Sequence, residues 1–256
     1  MIKYSVPLIP DKLAWTTING LSRVLIITII GSTASGLYAV SYKFPNFMNT
    51  IYGFFYQSWK ESSARALNAE NVEDFYNMIY EYLKSFMYSI VIGMTAFMPL
   101  AFFLLIDDKF SQAILYVPIL LLGMYFSNIF GFYGGIFTAY KDTKTVGKIT
   151  IIALVVNIAV IFLLIWDLGL YAAAFSTLIS NFVLCIYSRI KVRQYVKLKE
   201  NNKSMLFSII TTIVVWVLFY SQKMLLQCIG CIVAVIYVLI TNRKLLFLIF
   251  RKIRNR

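Results

Sequence analysis

Histidine is absent from this 256-residue sequence, and cysteine, proline and acidic residues are scarce, at three, five and eleven. Histidine is the commonest general base at neutral pH and the commonest protein ligand for metals. Cys228 and Cys231 have the spacing of a redox pair, but they fall within an apolar stretch and not in a soluble α/β domain. The sequence therefore predicts that the protein is not an enzyme and that it holds no metal and no cofactor.

Long apolar runs make up most of the chain. Apolar residues account for 60% of the sequence and the mean hydropathy is +0.76, whereas soluble domains are about 45–50% apolar. We therefore predict an integral membrane protein. The formal charge is +13, but the cations lie in short segments between apolar runs, which is typical of membrane topology signals. We predict no nucleic-acid partner.

Eight apolar segments approach the roughly 20 residues that a helix needs to cross a bilayer. They predict an all-α fold, a polytopic membrane bundle of about eight transmembrane helices. The segments are 13–30, 36–58, 83–106, 113–139, 149–166, 168–188, 205–221 and 224–241.

The placement of cations predicts the orientation of these helices. If the N-terminus is cytoplasmic, 20 of the 24 Lys and Arg residues lie in cytoplasmic segments. Lys109 and Lys223 then lie outside, and Arg23 and Lys43 lie within spans. Because cytoplasmic loops carry such an excess of cations, we predict that both termini are cytoplasmic.

The first span contains an arginine, Arg23, near its middle. Thr16 and Asn19 precede it by seven and four residues, so the three side chains share one helical face. A charge at the centre of a membrane helix costs about 2.5–3.5 kcal/mol on insertion scales and usually faces a cavity or a partner. We predict that this face lines a cavity; the alternative is that Arg23 binds backbone carbonyls of a neighbouring helix.

The second span carries a second polar stripe. Tyr42, Asn46 and Asn49 follow one another at steps of four and three residues, and Lys43 lies beside them. Pro45 removes a backbone hydrogen bond, so we expect a kink near the cation. We predict that this stripe also lines the cavity. The alternative is that Lys43, which is near the outer end of the span, extends to the membrane surface.

No acidic residue lies inside the eight predicted spans. Arg23 and Lys43 therefore have no carboxylate partner within them. The missing negative charge would come from a ligand or from another subunit. A diphosphate fits, because arginine binds phosphate through two parallel hydrogen bonds and lysine acts as a point charge.

Residues 7–67 resemble the start of the C-terminal half of polysaccharide and lipid-linked oligosaccharide flippases. These belong to the multidrug/oligosaccharidyl-lipid/polysaccharide exporter superfamily. The similarity lies in PLIPDKLAWTTINGLSRVLI and GSTASGLYAVSYKFPNFMNTIYGFFYQSW, and continues in FTAYKDTKTVGKITIIALVVNIAVIFLLI and DLGLYAAAFSTLIS. The chain departs from the family at Ser22, where members often have an acidic residue.

The resemblance implies one lobe of a two-lobe transporter. Members have two six-helix lobes around a central cavity, often with two further C-terminal helices. Eight spans would match the second lobe plus that pair, with a six-helix lobe in residues 1–190. Residues 191–256 would form a basic cytoplasmic loop, the two further helices and a basic tail. We expect a truncated or split gene product, whose first lobe lies on another chain.

The function that the resemblance implies is translocation of undecaprenyl-diphosphate-linked oligosaccharide repeat units across the bacterial cytoplasmic membrane. Such units supply capsule, O-antigen or exopolysaccharide, and the partners would be this polyprenyl-diphosphate-linked glycan and membrane lipid. Arg23 and Lys43 would bind the diphosphate while the sugar crosses in water. The candidate substrate-binding residues are Thr16, Asn19, Arg23, Tyr42, Lys43, Asn46 and Asn49.

Two other functions are compatible with parts of the sequence. A multidrug exporter of the same superfamily would favour an acidic or aromatic cavity for cationic drugs, whereas this chain offers cations. A membrane polysaccharide polymerase or acyltransferase would need a large external loop or catalytic His and Asp groups. The external loops here are short and histidine is absent.

Overall fold

The computed structural model describes residues 24–67, 70–243, 245 and 247. These residues form α-helices, one 3₁₀ helix and short connections, and no strand occurs among them. Helical residues 24–29 precede α1. The helices are α1 (Ser32–Ser41), α2 (Lys43–Ala66), α3 (Val72–Leu105), the 3₁₀ helix (Asp108–Tyr116), α4 (Val117–Ala139), α5 (Thr143–Leu168), α6 (Leu170–Val192), α7 (Asn202–Tyr220) and α8 (Met224–Thr241).

Six of these segments are long and apolar enough to cross a membrane: α3, the 3₁₀ helix with α4, and α5 to α8. They correspond to the third to eighth predicted spans, which confirms a multi-pass helical membrane protein. The second predicted span corresponds to α1 and α2, which are not among the six. Most of the first predicted span lies outside the described residues.

Helix α4 is the centre of the bundle. It is the most buried of the six spanning segments, and α2, α3 and α6 pack around it. Helices α5 and α6 form a hairpin that turns at Gly169, whose φ of 53° suits glycine. Within this hairpin, the buried Asn157 amide lies 3.4 Å from the Ser176 hydroxyl and 3.3 Å from that of Ser180.

Helices α7 and α8 form a second hairpin, which packs on α3. The Tyr88 hydroxyl lies 2.7 Å from that of Thr212, and the Asn242 amide donates to Ser89 Oγ at 2.6 Å. The Cys231 thiol lies 3.3 Å from the Ala96 carbonyl, and none of the described cysteines forms a disulfide. The pair Cys228 and Cys231 therefore lies on a membrane helix, as the sequence predicts.

The connections that carry most cations meet at one end of the bundle, which we call the basic end. Here the linker 193–201 lies along the start of α3, where the Asn77 amide donates to the Lys197 carbonyl at 3.2 Å. The Tyr195 hydroxyl donates to Asp142 in the α4–α5 turn at 2.9 Å. At the opposite end, the Tyr220 hydroxyl donates to the Leu115 carbonyl at 2.8 Å. The described loops that the charge pattern assigns to one side of the membrane thus lie at the same end of the bundle.

Candidate functional site

One face of α2 is fixed against α4. Trp59 is buried, stacks on Phe132 with ring centroids 4.4 Å apart and donates its indole N–H to the Phe132 carbonyl at 2.9 Å. The Ser63 hydroxyl donates to the Gly135 carbonyl at 3.3 Å. A Cβ added at Gly131 or Gly135 would meet the side chains of Tyr52 or Trp59, respectively. The small residues of α4 therefore allow α2 to approach closely, as small residues do at helix contacts in membranes.

The path of α1 into α2 is interrupted at Tyr42, three residues before Pro45. Because proline has no N–H, the Ser41 carbonyl loses the helical hydrogen bond that residue 45 would donate. The Ser41 hydroxyl donates to the Ala113 carbonyl of the 3₁₀ helix at 2.9 Å. This bond places Lys43, two residues further on, near the end of the bundle opposite the basic end.

The opposite face of α2 is polar and exposed. We call it the α2 polar face. It extends over 15 residues from Lys43 to Gln57, and the 14 steps between them span about 21 Å at 1.5 Å per residue. Two aromatic side chains interrupt it, Phe47 and Phe54, which are 61% and 72% exposed. The exposed polar side chains of this face are Lys43, Asn46, Asn49, Thr50 and Gln57.

Such a face does not suit a lipid environment. Unpaired amides and hydroxyls cost several kcal/mol each when they are transferred to hydrocarbon, and a lysine costs about 2.5–3.5 kcal/mol near the centre. Lys43 forms no salt bridge with any residue that the structure describes. The α2 polar face therefore requires water, a ligand or another protein surface beside it.

The structure brings together three of the seven sequence-predicted site residues on this face, namely Lys43, Asn46 and Asn49. Tyr42 is half-buried and its ring lies 5.5 Å from that of Tyr38, so it borders the face and packs towards the core. Thr16, Asn19 and Arg23 lie outside the described residues. The sequence prediction omitted four other residues of the face, which the same helical periodicity could have identified: Phe47, Thr50, Phe54 and Gln57.

A second polar cluster, which sequence reasoning missed, surrounds Glu200 at the basic end. The Glu200 carboxylate lies 3.0 Å from Lys84 Nζ and 3.2 Å from a guanidinium nitrogen of Arg189. It also accepts a hydrogen bond from the Tyr80 hydroxyl at 2.6 Å, and that hydroxyl lies 3.0 Å from the hydroxyl of Tyr133. We call these five residues the Glu200 cluster. The Glu200 side chain is only 11% exposed.

The charge of Glu200 is stabilised by its neighbours. Burial alone would raise the pKa of this carboxyl group, but the hydrogen bond from Tyr80 and the charges of Lys84 and Arg189 outweigh it and lower the pKa below its ordinary value. Glu200 is therefore ionised at neutral pH. Lys84, which the charge count assigns to the cytoplasmic side, lies within α3 and its side chain is 15% exposed. The sequence did contain a feature that could have drawn attention to Glu200, because it is the sole acidic residue after Asp167.

The helix order, the central α4 and the two hairpins form a fold that this chain shares with solved structures of membrane transporters. One solved structure with this fold is an outward-facing multidrug resistance MATE transporter of the multidrug/oligosaccharidyl-lipid/polysaccharide exporter superfamily. It has a TM-score of 0.65 and 16% identity, over 94% of this chain and 64% of that one. A second is the lipid II flippase MurJ in an inward closed conformation. Its TM-score is 0.57 at 16% identity, over 88% of this chain and 53% of that one.

The chain thus spans between about half and two thirds of the length of these two transporters. The sequence matches no model of a known protein family and no curated protein sequence significantly. The shared fold confirms the predicted fold class, an all-α polytopic membrane bundle that resembles part of a MATE transporter.

Proposed function

We propose that the chain is the second lobe, with two additional helices, of a transporter that moves undecaprenyl-diphosphate-linked oligosaccharides across the bacterial cytoplasmic membrane. The observation that carries this proposal is the α2 polar face, which is exposed over about 21 Å of a bundle whose described spanning helices are apolar. A large hydrophilic cargo that crosses a membrane needs such a surface along its path.

The chemistry of the α2 polar face suits a glycan. The side-chain amides of Asn46, Asn49 and Gln57 both donate and accept hydrogen bonds, as sugar hydroxyl groups do. Phe47 and Phe54 offer flat apolar surfaces against which the C–H faces of sugar rings pack. Lys43 supplies a positive charge near one end, where a diphosphate would be bound. In this proposal Arg23 contributes a second cation to the same cavity.

The cavity would be completed by a first lobe on another chain or on another part of a longer protein. The length of the chain relative to the two transporters and the exposure of the α2 polar face support this part of the proposal. The positive-inside distribution of cations supports cytoplasmic positions for both termini. Residues 1–190 would then form the lobe, and residues 191–256 the linker, the second hairpin and the basic tail.

A multidrug exporter is the second candidate, because one of the structures that share the fold is a MATE transporter. The residues of the α2 polar face argue for the first candidate. A cavity for cationic drugs gains from acidic side chains, whereas the only charge between residues 43 and 57 is the cation Lys43.

The test is transport of a fluorescent polyprenyl-diphosphate-linked oligosaccharide in proteoliposomes that contain the chain together with the first lobe. We expect Lys43→Gln and Asn46→Leu to slow translocation about tenfold, since each removes a contact worth roughly 1.4 kcal/mol in the crossing state. Arg23→Ala should abolish it. The control is Lys109→Gln, which changes an exposed cation outside the α2 polar face and should leave the rate unchanged.

Equal rates in the wild type, Lys43→Gln and Asn46→Leu would contradict the role of the α2 polar face. Translocation of a cationic dye without translocation of the lipid-linked glycan would instead support the multidrug exporter.

A further inference from the structure

A cavity of about 330 Å³ lies among α3, α4, α6 and α7, near the basic end. It is separate from the α2 polar face, because α2 contributes no residue to its wall. The Glu200 cluster forms its polar end, and Ser85 and Ser204 add two hydroxyl groups there. Helix α7 has 19 residues, and its first turn, which includes Ser204, borders the cavity. The positive end of its dipole therefore faces this region.

The ionic groups of the Glu200 cluster carry a net positive charge. Lys84 and Arg189 share the single carboxylate of Glu200, which leaves a charge of +1. Arg189 retains donors beyond the one directed at Glu200, since a guanidinium group has five N–H bonds, and its side chain is 31% exposed. The polar end can therefore accept one further anion.

Inside the cavity, the wall includes a tyrosine without a hydrogen-bond partner. Tyr125 on α4 is 7% exposed and lines the cavity. Its ring contacts Tyr88 and Phe126, but its hydroxyl makes no hydrogen bond to any described residue. The hydroxyls of Tyr80, Tyr88 and Tyr133 all have partners. The Tyr125 hydroxyl can therefore donate one hydrogen bond to a molecule that enters the cavity.

The outer rim of the cavity faces the bilayer. It consists of two apolar side chains from α6 and two from α7, all of them 41–47% exposed: Phe182, Ile186, Met205 and Ile209. An occupant would thus have an apolar part between the two helices and a polar part at the basic end. Tyr125 lies eight residues before Tyr133 on α4, about 12 Å further from the basic end.

We propose that this cavity binds one anionic phospholipid from the membrane leaflet at the basic end. The phosphate contacts Arg189 and Lys84, an oxygen of the glycerol ester region accepts the Tyr125 hydroxyl hydrogen, and an acyl chain lies along the apolar rim. The net charge of the Glu200 cluster favours an anionic headgroup, because a zwitterionic lipid would bring its own cation towards Lys84 and Arg189. This proposal is independent of the transported substrate.

The test uses the purified full chain in detergent, with thermal unfolding and native mass spectrometry as readouts. Phosphatidylglycerol, phosphatidylcholine and inorganic phosphate are titrated separately. We expect phosphatidylglycerol to raise the melting temperature with saturation at one lipid per chain. It should bind at least fivefold more weakly to Tyr125→Phe and to Arg189→Gln. The matched control is Arg193→Gln, which removes an exposed cation of the same segment that does not line the cavity, and it should bind like the wild type.

Tyr125→Phe keeps the proposal testable if Arg189→Gln fails to fold, because it removes only a hydroxyl that bonds to no described residue. Equal binding of phosphatidylcholine and phosphatidylglycerol would overturn the proposal. Unchanged phosphatidylglycerol binding in Tyr125→Phe would do the same, and so would an equal stabilisation by inorganic phosphate, which would show an anion site without a lipid.

Discussion

At the scale of single residues, Lys43 and Lys84 have opposite surroundings. Lys43 is exposed and has no ionic partner among the described residues, whereas Lys84 is largely buried against Glu200. Hydropathy alone could not separate them, because both lie near the ends of apolar runs. The difference arises because the linker 193–201 folds back along α3 and brings a carboxylate from 116 residues away in sequence. Such long-range pairing is not encoded in local spacing.

Glu200→Gln should destabilise the protein by about 3 kcal/mol, since it leaves Lys84 and Arg189 without their shared counterion in a partly buried site. Thermal unfolding in detergent measures the effect. The control is Glu61→Gln, because Glu61 pairs with Arg65 at the surface with its side chain 75% exposed, and exposed pairs contribute about 0–1 kcal/mol.

The stability difference between the wild type and Glu200→Gln should depend on pH in a defined direction. The pKa of Glu200 is lowered in the folded protein, so its carboxylate stabilises the fold fully above the unfolded pKa of about 4.3. This contribution is lost as the pH falls from there through the folded pKa. The wild type should therefore lose its advantage over Glu200→Gln in acid. An advantage that persists unchanged below the folded pKa would contradict the ionic role of Glu200.

At the scale of elements, helix α2 shows what periodicity can and cannot predict. Steps of three and four residues correctly placed Asn46 and Asn49 on one face with Lys43 beside them. They did not show that Tyr42 lies at the border, because its ring packs on Tyr38 before the break between α1 and α2. They also did not show that α2 binds α4 through Trp59 and Ser63. That contact depends on which helices become neighbours.

The α2–α4 contact can be tested with two adjacent glycines. Gly135→Ala places a methyl group against the Trp59 indole and should cost about 1–3 kcal/mol through overpacking. Gly134→Ala is the matched control, because no atom lies within 4 Å of its added Cβ; it should be neutral or slightly stabilising, as alanine favours helix over glycine. Equal thermal stability of the two variants would show that the close approach of α2 to α4 contributes nothing.

At the scale of the whole molecule, hydropathy and charge predicted most of the fold. Among the residues that the structure describes, six predicted spans are helices long and apolar enough to cross a membrane, because an apolar segment of that length satisfies its backbone in lipid by forming a helix. The packing of the α7–α8 hairpin on α3 was not predicted, since it depends on interhelical pairs such as Tyr88 with Thr212. The cavity beside that hairpin was missed for the same reason.

The arrangement of basic loops at one end of the bundle leads to a prediction about sidedness. Lys144 is exposed at the basic end, after the α4–α5 turn, and Lys109 is exposed at the other end, where it pairs with Asp107. Since cations accumulate on the cytoplasmic side, Lys109→Cys should react with a membrane-impermeant maleimide in intact cells. Lys144→Cys should react only after the membrane is permeabilised. The background would carry alanine at the three native cysteines, and labelling of Lys144→Cys in intact cells would reverse the proposed orientation and place the Glu200 cluster in the outer leaflet.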